Sequence, residues 1–278
     1  MELSVFMEFS DSIMVGEMRR TYVMHVPDSG NSHALILAFH GSGGIGKGMP
    51  ILTHFNRIAD REDIIVIYPD GYRRHWTDNP ETTDGANDLA FVSALIEKIV
   101  TERKIDPRRV YTAGISNGGF FSQRLAIEVS EKISAIATVA ATMPLPLPKV
   151  QMLSKPVSVM LFHGTLDPIV PYEGGHVKKG AKRPILSAHD SAVKWAQLNG
   201  CSSNPKITYL PNRKNDSTNV HTESFTQCRE NSEVILYVVE GGGHTWPGRW
   251  QYFPERIIGK TSENIDASEE MVAFFKRH

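Results

Sequence analysis

Between a β-like run, Arg109–Ala113 (RVYTA), and a helical run that starts at Phe120 (FFSQRLAIEV), the chain must turn within Gly114-Ile115-Ser116-Asn117-Gly118-Gly119. A strand-to-helix turn this tight forces Ser116 into a strained backbone conformation, and glycine two positions to either side leaves room for the neighbouring backbone. The turn lifts the serine hydroxyl above the sheet to which the strand belongs. The helix behind it points free N–H groups and its positive dipole end at the same spot. The plainer alternative is a glycine-rich turn in which Ser116 only caps a helix.

The remaining pattern supplies the sheet. Two β-rich segments, near Leu3–Phe9 and Arg19–Val26, are separated by Ser10-Asp11-Ser12 and Gly16 and read as an antiparallel hairpin. After the loop Pro27–His33, short apolar runs alternate with helical patterns, the signature of a parallel sheet covered on both faces. The runs are Ala34–Phe39, Ile64–Tyr68, Val110–Ala113, Ala135–Ala140, Val157–Phe162 and Val234–Val239. Leu89–Arg103 carries Leu89, Val92, Leu95, Ile96 and Ile99 on one helical face, with Asp88 expected as N-cap. Ala188–Asn199 follows the same period and ends at Gly200, and a last helix covers Ala267–Lys276. With 41% hydrophobic and 22% charged residues among 278, residues 1–278 suffice for a single α/β domain.

A formal net charge of −1 and a pI near 6.8 give no electrostatic case for nucleic acid or an anionic membrane as partner. No run approaches the roughly 20 apolar residues of a membrane span, and MELSVFMEFSDSIMVGEMRR lacks the basic and apolar regions of a leader. The expectation is a cytoplasmic chain, or a secreted or periplasmic one whose leader has been trimmed. Cys201 and Cys228 are too few for a zinc site and lack C-x-x-C spacing, which leaves two buried thiols or one disulfide. No metal or organic cofactor is called for.

A serine hydroxyl needs a base to remove its proton and a carboxylate to hold that base. Asp167, in Phe162-His163-Gly164-Thr165-Leu166-Asp167, leaves the carboxyl end of an apolar strand, where ligands meet parallel sheets. His244, in Gly241-Gly242-Gly243-His244-Thr245-Trp246-Pro247, follows the strand VILYVV. The order Ser116, Asp167, His244 is that of strand-elbow hydrolases. His40 precedes the serine and His163 sits beside Asp167, so structural roles suit both. Charge developing on a carbonyl oxygen needs donors, expected from the backbone N–H groups of Asn117 and of Ser42 in Phe39-His40-Gly41-Ser42-Gly43-Gly44. Read as a phosphate loop, that glycine run lacks the G-K-[ST] ending, and a dinucleotide reading, with Asp70 as its acid, leaves Ser116 and His244 unexplained.

These pieces, HGSGG at His40–Gly44, YPDG at Tyr68–Gly71, NDLAFV at Asn87–Val92, DPRRVYTAGISNGG at Asp106–Gly119, HGTLDPIVPY at His163–Tyr172 and GGGHTWPG at Gly241–Gly248, carry a resemblance. The chain resembles the secreted esterases that join polyhydroxybutyrate depolymerase-like proteins, feruloyl esterases and acetylxylan esterases. The resemblance implies an α/β-hydrolase fold, ester hydrolysis through an acyl-enzyme, and Ser116, Asp167 and His244 as the triad. Small-molecule or polymeric esters are then the substrates. Acyl transfer to an alcohol on the same triad, or carbohydrate or polyester binding on a retired scaffold, are the competing functions, and the intact triad argues against the second. Relatives often carry a leader, which this sequence lacks, and a paired acid where it has Asn87-Asp88. Because relatives are exported, Cys201 and Cys228 are expected to pair when oxidised.

The segment Thr142–Lys155 is too proline-rich for a substantial helix, so the expected site has no lid. Tyr72, Trp76, Tyr172, Trp246, Trp250 and Tyr252 lie in segments expected to surround it and are candidate contacts for sugar, phenolic or polyester groups.

Overall fold

The computed structural model describes residues 7–28, 32–78, 87–147, 149, 152–179 and 183–278. Its frame is a ten-stranded sheet. The chain enters it through β1 (Met7–Val15) and β2 (Met18–Val26), then β3 (Ala34–Phe39), α1 (Met49–Thr53), α2 (Phe55–Glu62) and β4 (Ile64–Pro69). It continues through α3 (Asp88–Arg103), β5 (Val110–Ile115), α4 (Asn117–Glu128), β6 (Ala135–Val139) and β7 (Ser158–Gly164). A small ribbon, β8 (Gly175–His176) with β9 (Pro184–Ile185), precedes α5 (Ala188–Asn199), β10 (Lys206–Tyr209), β11 (Asn219–Phe225), β12 (Val234–Glu240), α6 (Glu255–Ile258) and α7 (Ala267–Phe275).

Strand order is β1-β2-β4-β3-β5-β6-β7-β12-β11-β10. The six central strands, β4 to β12 in that order, pair in parallel, and antiparallel strands close both flanks. Burial on both faces explains why the central strands read as continuous apolar runs. Alternate residues serve opposite layers: Leu35, Leu37 and Phe39 pack with α3, α4 and α5, while Ala34, Ile36 and Ala38 pack with α1, α2 and α7. This is the α/β-hydrolase arrangement expected from the sequence.

Two local expectations are corrected. The hairpin turns at Gly16-Glu17, with Val15 opposite Met18, and Gly16 at φ 60° supplies the first-position glycine that a two-residue turn favours. Ser10–Ser12 lie inside β1, where Asp11 accepts the Tyr22 hydroxyl across the pair at 2.7 Å; the first residues of the expected strand Leu3–Phe9 lie outside the described residues. Asn87, not Asp88, caps α3, accepting from Ala90 N at 3.0 Å. Asp88 is instead buried against Arg20 at 2.6 Å and the Thr77 N–H at 2.7 Å. The helices α1 and α2 were not anticipated, because His54 at φ 54° breaks them into two short pieces.

Between β6 and β7 the described residues contain no helix. Cys201, just past α5, is bonded to Cys228, just past β11, with an S–S distance of 1.99 Å. Thiol titration of oxidised, denatured, non-reduced protein should find no reactive thiol, and reduction should lower stability by roughly 3 kcal/mol, as loop-closure entropy gives for a loop of this size. Two titratable thiols per chain would refute the pairing.

Candidate active site

Ser116 sits between β5 and α4 at φ 55°, ψ −121°, a conformation that costs a non-glycine residue strain. The flanking glycines are required by close approach. A β-carbon on Gly114 would stand 2.4 Å from Gly118 C and O, and one on Gly118 would stand 2.3 Å from Phe39 O. The second contact draws the end of β3 against the start of α4. The following loop therefore crosses the serine, with the Gly41 β position 3.5 Å from Ser116 Cβ.

In that loop, Gly43 and Gly44 donate to Arg74 O and Gly41 O, at 2.8 and 2.9 Å. The Ser42 N–H makes no hydrogen bond among the described residues. Asn117 occupies the first position of α4, where a backbone N–H has no intrahelical acceptor. Both N–H groups named from the sequence are thus without a hydrogen-bond acceptor among the described residues. His40 is structural: its Nδ1 donates to Gly41 O at 2.8 Å and its Nε2 accepts from Gly71 N at 3.0 Å.

Asp167 follows β7 and His244 follows β12, at the same sheet edge as Ser116. His244 Nδ1 donates to Asp167 Oδ2 at 2.8 Å, which leaves Nε2 with its lone pair free to accept a proton. Asp167 Oδ1 accepts from the Ile169 and Val170 N–H groups, each at 2.8 Å. Burial alone would raise this carboxyl, but the His244 imidazole and its hydrogen bond, with His163 and the Val170 N–H, hold it below the ordinary carboxylate value. His163 is fully buried, donates from Nε2 to Val170 O at 2.8 Å, and has its proton affinity lowered by burial. No hydrogen bond joins Ser116 Oγ to His244 among the described residues; in this class of site that contact commonly tightens with substrate.

The aromatic candidates divide. Trp76 and Trp246 are corrected to core residues, each fully buried. Trp76 stacks on Phe121 and donates to His40 O at 3.1 Å; Trp246 packs edge-on against Phe55 and donates to Ser268 Oγ at 3.0 Å. Tyr72 and Tyr172 are half-buried, and Trp250 is 54% exposed beside a hollow of about 460 Å³ lined also by Arg213 and Lys214. The Tyr252 hydroxyl turns inward to the His244 carbonyl at 2.6 Å. Sequence reading missed the supports around Asn117, namely His75, Asp78 and Arg183, because they meet only through the fold.

Residues 21–144 match the family model described as esterase PHB depolymerase. That stretch, rather less than half of the chain, is where its likeness to PHB depolymerase-type esterases lies. "Putative esterase NocK" of Nocardia uniformis subsp. tsuyamanensis is 26% identical to this esterase chain, over 94% of the chain and 80% of that protein. Feruloyl esterase B of Piromyces equi is 28% identical over 76% of the chain, which spans only 39% of that enzyme. Among solved structures, an acetyl xylan esterase from Aspergillus awamori superposes with a TM-score of 0.65 at 14% identity, over 97% of this chain and all of that one. That last likeness carries the fold. Together the comparisons support carboxylic ester hydrolase activity.

The buried imidazoles make a pH prediction. Burial lowers the proton affinity of both His40 and His163 from the ordinary value near 6.5, so the unfolded chain binds protons that the folded esterase does not. Stability from this source is complete above that value and is lost as pH falls below it. The urea midpoint should therefore drop between about pH 7.5 and about pH 5.5, and drop less in His163→Gln. Equal midpoints at the two pH values would contradict burial of neutral imidazoles.

Proposed function

We propose that this chain is a serine esterase in which Ser116 attacks the ester carbonyl. His244 takes the serine proton and later delivers it to the leaving alcohol, and Asp167 holds the imidazole tautomer. The Asn117 and Ser42 N–H groups receive the oxyanion, and water then releases the acyl group from Ser116. The observation that carries this reading is the strained Ser116 turn at the same sheet edge as a formed Asp167–His244 pair. Ser116→Ala should stay folded, since the hydroxyl has no packing role, and should lose about 10³-fold or more in kcat. Asp167→Asn should lose less, through the wrong tautomer. A folded Ser116→Ala protein with near-normal turnover would reject the assignment.

The substrates proposed are short-chain or aryl esters, among them feruloyl and acetyl esters of plant polysaccharide and hydroxybutyrate oligomers. One observation supports this: the described residues between β6 and β7 contain no helix, and a site without a helical lid offers a long acyl chain little apolar wall against which to bury its area. Acetyl and butyryl p-nitrophenyl esters should be hydrolysed faster than the palmitoyl ester, without a rate jump at the micellar concentration. The opposite ranking would overturn the substrate class.

A further inference from the structure

The Asn117 side chain is held on every polar atom. Its Oδ1 accepts from Trp76 N at 2.7 Å, and its Nδ2 donates to Trp76 O at 3.0 Å and to Asp78 Oδ2 at 2.7 Å. Asp78 Oδ2 also takes Arg183 Nη2 at 2.8 Å, and both side chains of that pair are 11% exposed. The Arg183 guanidinium lies 4.0 Å over the Phe120 ring. Its Nη1 is buried without a hydrogen-bond partner among the described residues. A desolvated guanidinium with one terminal nitrogen unmet is costly to keep, and among the described residues its hydrogen-bond partner is Asp78. His75 adds a link across the site, with Nδ1 3.1 Å from Ser42 Oγ and Nε2 3.4 Å from Asn117 Nδ2.

The need for such a clamp follows from the strain at Ser116. The N–H proposed to receive the oxyanion belongs to the Ser116–Asn117 peptide, whose tilt is set by Ser116 ψ and Asn117 φ. Rotation of that peptide would relieve strain and swing the N–H away. An Asn117 side chain fixed at both ends of its amide holds the Asn117 Cα, the pivot to which the peptide nitrogen is bonded, and so keeps the start of α4 from shifting to accommodate such a rotation. We propose that Asp78 and Arg183 are positioning residues that act through the Asn117 amide to hold the Ser116–Asn117 peptide in its oxyanion-binding orientation. The inference rests on the reading of Ser116 and Asn117 given above.

The test compares Asp78→Ala, Asn117→Ala, Arg183→Met and the Asp78→Ala/Arg183→Met double variant with the unaltered protein, on p-nitrophenyl butyrate and on inhibition by phenylboronic acid. The boronate forms a tetrahedral adduct with the serine oxygen and so reads the oxyanion site directly. Asn117→Ala keeps the backbone N–H and removes only the clamp. Asp78→Ala and Asn117→Ala should each lower kcat by about 10- to 100-fold with little change in KM, and weaken the boronate in parallel. Arg183→Met should lower kcat alone but add little in the Asp78→Ala background, since Arg183 acts through Asp78. Folded variants with unchanged kcat and boronate affinity would overturn the proposal, as would a loss confined to melting temperature or to KM. Full, multiplying losses in the double variant would overturn the route through Asp78. If Asp78→Ala does not fold, Asn117→Ala and Arg183→Lys carry the same comparison. Failure of the nucleophile reading is seen separately, as activity surviving in Ser116→Ala.

Discussion

The backbone contact at Gly118 is the constraint on which the site depends. The Phe39 and His40 carbonyls occupy the space where any side chain at that position would go, so α4 begins directly against the end of β3. This one approach joins the strained serine turn to the HGSGG loop. In the proposed mechanism neither segment suffices alone: the helix N-terminus offers a donor along its axis, the loop offers one across it, and the two together receive a single oxygen.

Around that contact, the segment from Gly71 to Asp78 works as a bracket. Gly71 N reaches the His40 ring, Trp76 Nε1 reaches the His40 carbonyl, and the Trp76 peptide grips the Asn117 amide. Arg124 holds Thr77 O at 2.6 Å, and Asp88 holds the Thr77 N–H. All of these but the part-buried Arg124 bond are shielded from water, where a hydrogen bond is stronger and a broken one is costlier. Preorganisation here comes from many small restraints on a short loop.

The central strands, the strained turn at Ser116 and the helix-free described residues between β6 and β7 were legible because each rests on local pattern: apolar runs at strand length, glycines around a serine, prolines in a connection. Elsewhere tertiary partners overrode local preference. Ser10-Asp11-Ser12 has turn chemistry, but it sits on an edge strand where polar residues face water and Asp11 finds Tyr22. Asn87 and Asp88 are equally able caps, and the choice fell to Arg20, far away in sequence, which claims Asp88. Arg183 and Asp78 carry no motif at all. Their role depends on a meeting across 105 positions, which periodicity cannot report.

The tryptophans show why aromatic residues beside a catalytic loop need not touch substrate. The His244 loop lies outside the strands and cannot be fixed by a ladder of its own. It is fastened by the segment that follows: Gly243 N to Lys260 O, His244 N to Ile258 O and Gly248 N to Ser262 O. Trp246, two residues past the histidine, drives the loop into the layer formed by α2 and α7, and its indole N–H meets Ser268, whose hydroxyl in turn donates to Thr53 O. Tyr252 then closes the loop from the other side on the His244 carbonyl. A large buried ring contributes more apolar area than the rest of such a loop together. The same bulk that would make a binding platform in water is what anchors the loop, and burial decides between the two.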